Sequence, residues 1–230
     1  MRWKKWEELP KEMQNPQVRP YYDLLLRKRG ALGVKRVFDV VAATVLLLVL
    51  WPVMAILALL IAVDSPGGVF FRQERVTRYG KVFRIHKFRT MVTQAECMGS
   101  QVTEENDKRI TKIGSFLRKC RLDELPHLLD VLTGNMSFVG TRPEVPGYVK
   151  AYTPEMYATL LLPAGITSRA SILFKDEGRL LTGAEDVDRV YIEKVLPEKM
   201  VYNLQALKDF SLFGELKIML KTVVAVFEKE

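Results

Sequence analysis

VVAATVLLLVLWPVMAILALLIAV, residues 40–63, runs for 24 residues without a charged side chain, and Pro52 stands at its middle. A hydrocarbon core about 30 Å thick needs roughly 20 apolar residues in a straight helix, so length alone permits a span. The flanks argue otherwise. Arg27, Lys28, Arg29, Lys35 and Arg36 precede the run, and Arg72, Arg75, Arg78, Lys81, Arg84, Lys87 and Arg89 follow it. Basic residues mark the cytoplasmic side of a membrane segment, and here both ends carry them. Pro52 offers a resolution, because proline removes a backbone donor and clashes with the preceding turn. Each half then has about a dozen residues, roughly 18 Å of helix, enough to enter one leaflet and return. The expectation is a re-entrant helix-break-helix hairpin over residues 34–64. A single kinked span is the competing reading.

Working outward, composition describes one membrane-attached globular domain. The 167 residues after Val63 suffice for a modest core, and no second apolar run approaches spanning length. The first 36 residues are too long and too charged for a secretory leader, and no small-residue cleavage site follows the run. Two cysteines, Cys97 and Cys120, suggest no disulfide framework and point to a reducing, cytosolic face. Net charge is +8, and Arg72 to Arg89 contribute +6 of it, seven basic residues against Glu74. Such a patch beside an anchor suits anionic lipid head groups or a phosphorylated substrate. Nucleic acid is disfavoured, since no recognition-helix or stacking pattern accompanies the charge.

Residues 1–33 read as a polar, loosely held surface arm whose Trp3 and Trp6 suit the head-group layer. Residues 65–230 read as a catalytic domain facing the cytoplasm. Asp64-Ser65-Pro66-Gly67-Gly68 is a turn. Val69–Val76 and Lys81–Phe88 form a two-stranded ribbon turned at Tyr79-Gly80, with Phe83 and Ile85 on one face and Arg84 and His86 on the other. Thr93 to Asp107 is a polar loop, and helical spacing dominates from Ile113 to Leu132. Tyr148–Pro163 and Leu204–Phe227 carry apolar faces beside lysines, as interfacial amphipathic helices do, with core packing an equal alternative. The predicted class is α+β and helix-rich.

The chemical centre falls at Leu122-Asp123-Glu124-Leu125-Pro126. Leu125, Leu128, Leu129 and Leu132 recur at helical spacing, Gly134-Asn135 can end the helix, and Pro126 belongs in its first turn. That reading sets Asp123 at or near the N-cap and Glu124 just inside, where free N–H groups and the helix dipole favour carboxylates. Capping alone would explain the pair. Their company suggests more: Arg109, Lys112, Arg118, Lys119 and Arg121 lie close in sequence, and the ribbon brings a second basic cluster. Carboxylates among cations are the parts needed to hold a divalent metal and a diphosphate.

Taken together, several motifs form a specific pattern. Lys35-Arg36 with Asp39 opens the apolar run and Pro52 divides it; Val69 to Arg75 and Lys87-Phe88-Arg89-Thr90-Met91 follow. Asp107-Lys108-Arg109-Ile110-Thr111, with Gly114, Leu117 and Arg118, leads to Leu122 to Pro126. Asn135 to Gly140 and Arg142-Pro143 close the block. From about Lys35 to Glu144, and weakly near the C-terminus, the chain resembles the monotopic phosphoglycosyl transferases, bacterial sugar transferases that start polyprenol-linked glycan assembly.

The resemblance implies transfer of a sugar 1-phosphate from a nucleotide diphosphate sugar, usually a UDP-sugar, to polyprenol phosphate in the cytoplasmic leaflet. It implies Asp123 as nucleophile and as a ligand of Mg²⁺, with Glu124 completing the dyad. UMP leaves, a phosphosugar-aspartyl enzyme remains, and the lipid phosphate attacks it. Arg142 is expected on the nucleotide, and Lys87, Arg89 and Arg118 on phosphate. His86 and His127 lack a metal-ligand spacing and are read as non-catalytic. Capsule, exopolysaccharide or glycoprotein glycan synthesis is the implied setting, in the cytoplasmic membrane. Self-association as a homodimer stays open. The alternative is a catalytically silent relative serving as a membrane scaffold, against which the intact Asp123-Glu124 pair argues.

Departures from the family pattern mark where this chain is its own. Trp51 stands before the break where serine is frequent, and Thr141 replaces the first proline of the Pro-Arg-Pro segment. Pro163 to Arg169 depart from Pro-Gly-Ile-Thr-Gly-Trp, and Ala170 to Leu181 follow no usual pattern, so the sugar cannot be carried over. Glu215 takes the place of an aspartate.

Overall fold

A computed structural model describes residues 3–95, 107–174 and 186–227, with side chains described to residue 225. Most of the loop expected over Thr93–Asp107, Cys97, and most of the atypical stretch 170–181 lie outside these residues.

The apolar run folds as one helix, α2 (Arg29–Asp64), entered from a short helix α1 (Arg19–Arg27). Helical geometry continues through Pro52, so the expected break into two helices is corrected to a single 36-residue helix. Proline costs the backbone bond to Leu48, and Leu48 lies on the outward face at 70% exposure. Packing on the opposite face holds the helix across the gap. Lys35, Asp39, Ala43, Leu57 and Ile61 are buried there, and Leu47, Leu50 and Met54 fill the interval between them. That 3–4 spacing is one stripe of a helix. Outside it, Val45, Val49, Trp51, Ile56, Leu59 and Val63 are exposed.

Polar side chains pin both ends of α2. Lys35 Nζ donates to Val139 O at 3.0 Å and to Glu215 Oε2 at 2.5 Å. Arg36 donates to the Val131 and Leu132 carbonyls, and Asp39 accepts from Ser137 Oγ at 2.8 Å. At the other end, Arg89 donates to the Ser65 and Pro66 carbonyls, and Asp64 accepts from the Ile113 N–H.

The ribbon forms as expected. β1 (Phe70–Phe71) pairs with β4 (Lys87–Phe88), and β2 (Glu74–Val76) with β3 (Val82–Arg84), all antiparallel. Both pairs keep one register, from Phe70 opposite Phe88 to Val76 opposite Val82. Tyr79 and Gly80 make the turn at positive φ. Phe83 and Ile85 are buried and Arg84 is exposed.

The helical stretch expected over Ile113–Leu132 forms two helices and a 3₁₀ turn. They are α3 (Lys112–Lys119), the turn Leu122–Glu124, and α4 (His127–Thr133). Pro126 is the N-cap of α4, so Asp123 does not cap it. The break arises at Arg121, whose left-handed φ of 55° reverses the chain after α3. Gly134 ends α4 in the left-handed conformation, as expected.

After α4, β5 (Met136–Val139) pairs in parallel with β6 (Ala164–Thr167). Gly165 sits so close to Gly140 that a Cβ there would meet the Gly140 nitrogen at 2.2 Å. Between these strands lie α5 (Pro146–Val149) and a 3₁₀ segment, Met156–Leu161. Tyr148, Tyr152, Met156 and Leu160 to Leu162 are buried, so this stretch is core rather than an interfacial helix.

α6 (Arg169–Leu173) follows β6. Beyond it come α7 (Val187–Val190), a π turn (Tyr191–Val195), α8 (Leu196–Lys208) and α9 (Leu212–Phe227). The interfacial helix expected over Leu204–Phe227 is therefore two elements. α8 packs inward through Leu196, Met200 and Leu207, whereas α9 exposes Phe213, Leu220, Val223 and Val224.

The N-terminal segment is no loose arm. Leu9, Met13, Val18, Tyr21, Tyr22 and Leu25 are buried in the largest core, with residues of 145–162 and 187–210. Each such side chain contributes about 1.5–3 kcal/mol by leaving water. Two smaller cores line α2: Phe83, Leu128, Val131 and Met136 against Ala43, and Phe88 and Leu117 against Leu57 and Ile61.

Candidate active site

Where these three cores meet, a cavity of about 1270 Å³ opens, and Asp123 and Glu124 form part of its wall. The left-handed Arg121 turns the 3₁₀ segment so that both carboxylates are buried, Asp123 at 2% exposure and Glu124 at 9%. Charged carboxylates are rarely buried without partners, and here the partners come from three separate elements. β4 supplies Lys87, whose Nζ is 2.8 Å from Asp123 Oδ2 and 3.5 Å from Glu124 Oε1. The segment after β5 supplies Arg142, which donates to Glu124 Oε1 at 2.7 Å. Arg121 stands 3.7 Å from the same oxygen.

Burial opposes charge on Glu124, but Arg142, Lys87 and Arg121 outweigh it and hold the carboxyl well below the usual range. Glu124 is therefore an anion at neutral pH. Asp123 differs in one respect: its Oδ1 is buried and accepts no hydrogen bond among the described residues. A buried carboxylate oxygen left unpaired is costly, and it is a place for an incoming electrophile or cation.

Arg118, on α3, also lines the cavity, and its guanidinium makes no hydrogen bond among the described residues. Burial lowers its pKa, and Asp123 and Asp107 pull it back up. Arg89 Nη1 and Nη2 donate to the Pro66 and Ser65 carbonyls at the end of α2, while its Nε is buried without a partner among the described residues and the residue lines the cavity. Arg109 is held by Asp107 through two nitrogens.

Sequence spacing gave His127 no role, yet it stands in the cavity wall at 2% exposure with both ring nitrogens unpaired. Burial pushes its pKa down to about 3, against the pull of Glu124, so the ring is neutral. His86 lies apart, its Nδ1 2.8 Å from Asp130 Oδ1. Its signal was invisible in sequence, because Asp130 reads as a helix-surface residue and is fully buried.

Two sides of the cavity differ in chemistry. Leu46 and Leu50 of α2 with Thr222 and Ala225 of α9 form one wall, joined to the exposed apolar faces of both helices. Glu144, Tyr148, Tyr191 and Lys199 form another, polar wall. Among the described residues, no three His, Cys, Asp or Glu side chains converge as a metal site.

A family model described as bacterial sugar transferase matches residues 30–229. The chain is 36% identical over 220 residues to the UDP-glucose:undecaprenyl-phosphate glucose-1-phosphate transferase of Escherichia coli K12, covering 94% of this chain and 45% of that protein. It is 35% identical over 194 residues to a UDP-N-acetylgalactosamine-undecaprenyl-phosphate N-acetylgalactosaminephosphotransferase of Aeromonas hydrophila, covering 83% and 43%. The exopolysaccharide production protein PSS of Rhizobium leguminosarum is 35% identical over 201 residues, covering 84% and 95%. The chain thus spans less than half the length of the first two relatives and nearly all of the third.

Proposed function

Because the chain belongs to the bacterial sugar transferase family, we propose that it transfers a sugar 1-phosphate from a UDP-sugar to polyprenol phosphate and releases UMP. The observation that carries this reading is Asp123 itself: one oxygen held by Lys87 at 2.8 Å, the other buried and unpaired in a cation-lined cavity. Asp123 attacks the phosphorus that bears the sugar, the bond to the UMP oxygen breaks, and a phosphosugar-aspartyl enzyme forms. The phosphate oxygen of the lipid then displaces Asp123. Two half-reactions let a soluble donor and a lipid acceptor use one centre in turn.

Lys87 orients the attacking carboxylate and, with Arg118 and Arg142, offsets the charge of the diphosphate. Glu124 keeps Arg142 and Lys87 in place as a fixed anion. The site fits Mg²⁺, which takes one or two carboxylates and completes its shell with substrate phosphates and water. Asp123 and Glu124 would hold it, and when bound it would withdraw charge from the phosphate oxygens.

The acceptor reaches this centre from a membrane. α2 is long and apolar enough to cross one, and only 11% of its most apolar window is buried in the protein. Both of its ends are hydrogen-bonded to the same domain, through Arg36 and Asp64. That supports a re-entrant placement, with both ends and the catalytic domain on the cytoplasmic side. The exposed faces of α2 and α9 then lie in the lipid, and the apolar cavity wall admits the polyprenol phosphate. The relatives are named for glucose and N-acetylgalactosamine phosphates, so the sugar of this chain is open, and exopolysaccharide or other glycan assembly is the setting.

The test is UMP release by purified full-length protein given polyprenol phosphate, Mg²⁺ and UDP-sugars one at a time. Release with one sugar, lost on chelation and in Asp123→Asn, supports the reading. Release that survives Asp123→Asn overturns the nucleophile assignment.

A further inference from the structure

The polar part of the cavity lining has a structure of its own. Glu144 lies two residues after Arg142, so the two Cα atoms are at most about 7 Å apart. Arg142 points to Glu124, while Glu144 belongs to a buried cluster with Tyr191 and Lys199. The segment is fixed by Arg75, which donates to Pro143 O at 3.1 Å, and by the Val76 N–H, which donates to Glu144 O at 2.9 Å.

Within the cluster, Tyr191 Oη donates to Glu144 Oε1 at 2.7 Å and Lys199 Nζ donates to Tyr191 Oη at 2.9 Å. Lys199 is itself 3.8 Å from Oε1. Both partners thus address one oxygen of Glu144, and Oε2 accepts no hydrogen bond among the described residues. Glu144 is 6% exposed and Lys199 3%. Burying an ammonium and a carboxylate is expensive, and well-packed apolar side chains would hold α8 at lower cost. The charges stand instead in the wall of the cavity that contains Asp123. Tyr191 opens a π turn, a rare distortion that recurs at functional sites.

We infer that Glu144, Tyr191 and Lys199 read the hydroxyl groups of the donor's sugar ring, and so set which sugar is transferred. This rests on the reading of the Asp123 end as the phosphate site, and deepens it. The Glu144 oxygen without a partner, set beside a phenol and an ammonium that hold its other oxygen, offers a sugar hydroxyl a charged acceptor fixed in place. A nucleobase would instead call for a ring to stack on. The rings here are spent: Tyr148 and Tyr191 pack on each other with centroids 4.9 Å apart, and Phe174 packs edge-on against Tyr202.

The test compares binding of UDP and of UDP-hexoses, with and without an N-acetyl group, to full-length Asp123→Asn protein by calorimetry. Glu144→Gln and Lys199→Met are added in turn, and thermal midpoints verify each fold. One UDP-hexose should bind about tenfold tighter than UDP, the scale of one hydrogen bond to a charged group. Glu144→Gln, which is isosteric, should erase that advantage and leave UDP affinity within about twofold, a change too small to count as a lost contact. An advantage that persists in both variants overturns the inference. So does an equal loss for UDP and UDP-sugar, which would assign the cluster to the nucleoside. Loss of the sugar advantage in these variants, together with no UMP release by the parent chain carrying Asp123, would leave this inference standing and sink the proposed reaction.

Discussion

Lys87 Nζ and Asp123 Oδ2 are 2.8 Å apart across two elements separated in sequence by the whole of α3, and this contact fixes which Asp123 oxygen is occupied. The opposite oxygen, Oδ1, is left buried and without a partner. If that asymmetry aims the nucleophile, Lys87→Met should lower kcat/KM for UMP release by about 10²-fold, the usual scale for one charge-stabilising donor. Asp123→Asn should abolish release. Equal activity of Lys87→Met and the parent chain would remove the lysine from the mechanism.

Arg142 and Glu124 form the second charge contact, at 2.7 Å. Arg142→Ala leaves a buried carboxylate with Lys87 and Arg121 only, and should cost about 1–3 kcal/mol in transition-state stabilisation, or roughly 10- to 100-fold in kcat/KM. Arg142→Lys should recover little, since an ammonium cannot reproduce the guanidinium fork. Steady-state kinetics of the two variants, run side by side, check the geometry against simple charge.

Acid should destabilise the fold through two groups. His127 has an ordinary pKa near 6.5 when unfolded and about 3 when folded, because burial disfavours its charged form. Below pH 6.5 the unfolded chain therefore binds the extra proton, and stability falls by up to about 1.4 kcal/mol per pH unit until pH 3. Glu124 acts in the same direction at lower pH. Its depressed pKa contributes stability that is complete above its unfolded value of 4.5 and is lost as pH falls toward the folded value. His127→Gln should flatten the slope of denaturation free energy between about pH 6 and 4.5. An unchanged slope would show that His127 is not buried neutral.

Gly165→Ala should break the β5–β6 pair. The added Cβ would stand 2.2 Å from the Gly140 nitrogen and 2.3 Å from its oxygen, both backbone atoms that cannot swing aside. The expected cost is about 3 kcal/mol, the upper end for overpacking. A thermal midpoint within about a degree of the parent would contradict this packing, since one kcal/mol moves a domain of this size by several degrees.

Topology is open to direct labelling. Cysteines placed singly at the exposed Glu12 and Glu74 flank α2 on its two sides. Both should resist a membrane-impermeant maleimide in intact cells and react after lysis. Reaction of one but not the other before lysis would establish a span and exclude the re-entrant placement.

Much of this architecture was legible in the chain. The apolar run, the ribbon with its Tyr79-Gly80 turn, the Gly134 helix end and the Asp123-Glu124 pair follow from local rules of spacing, turn chemistry and charge. Those rules act over a few residues, so they survive without tertiary context. They failed where packing overrode propensity. The N-terminal segment looked like a surface arm because its charged residues dominate the count, yet Leu9, Met13, Tyr21, Tyr22 and Leu25 suffice to bury one face. That Arg89 caps α2 had no sequence signal, because a capping arginine and a free one are written alike. His127 had no local signature at all.

Hydrophobicity and charge are properties of the residues alone, so the apolar run, the basic ribbon and the two adjacent carboxylates were readable without any coordinates. Packing, in contrast, turns Arg121 left-handed, brings Lys87 and Arg142 from separate elements, and sets Glu144 against Lys199 55 residues later. Those contacts depend on which surfaces the cores bring together, and the cations so gathered hold Glu124 charged against its burial.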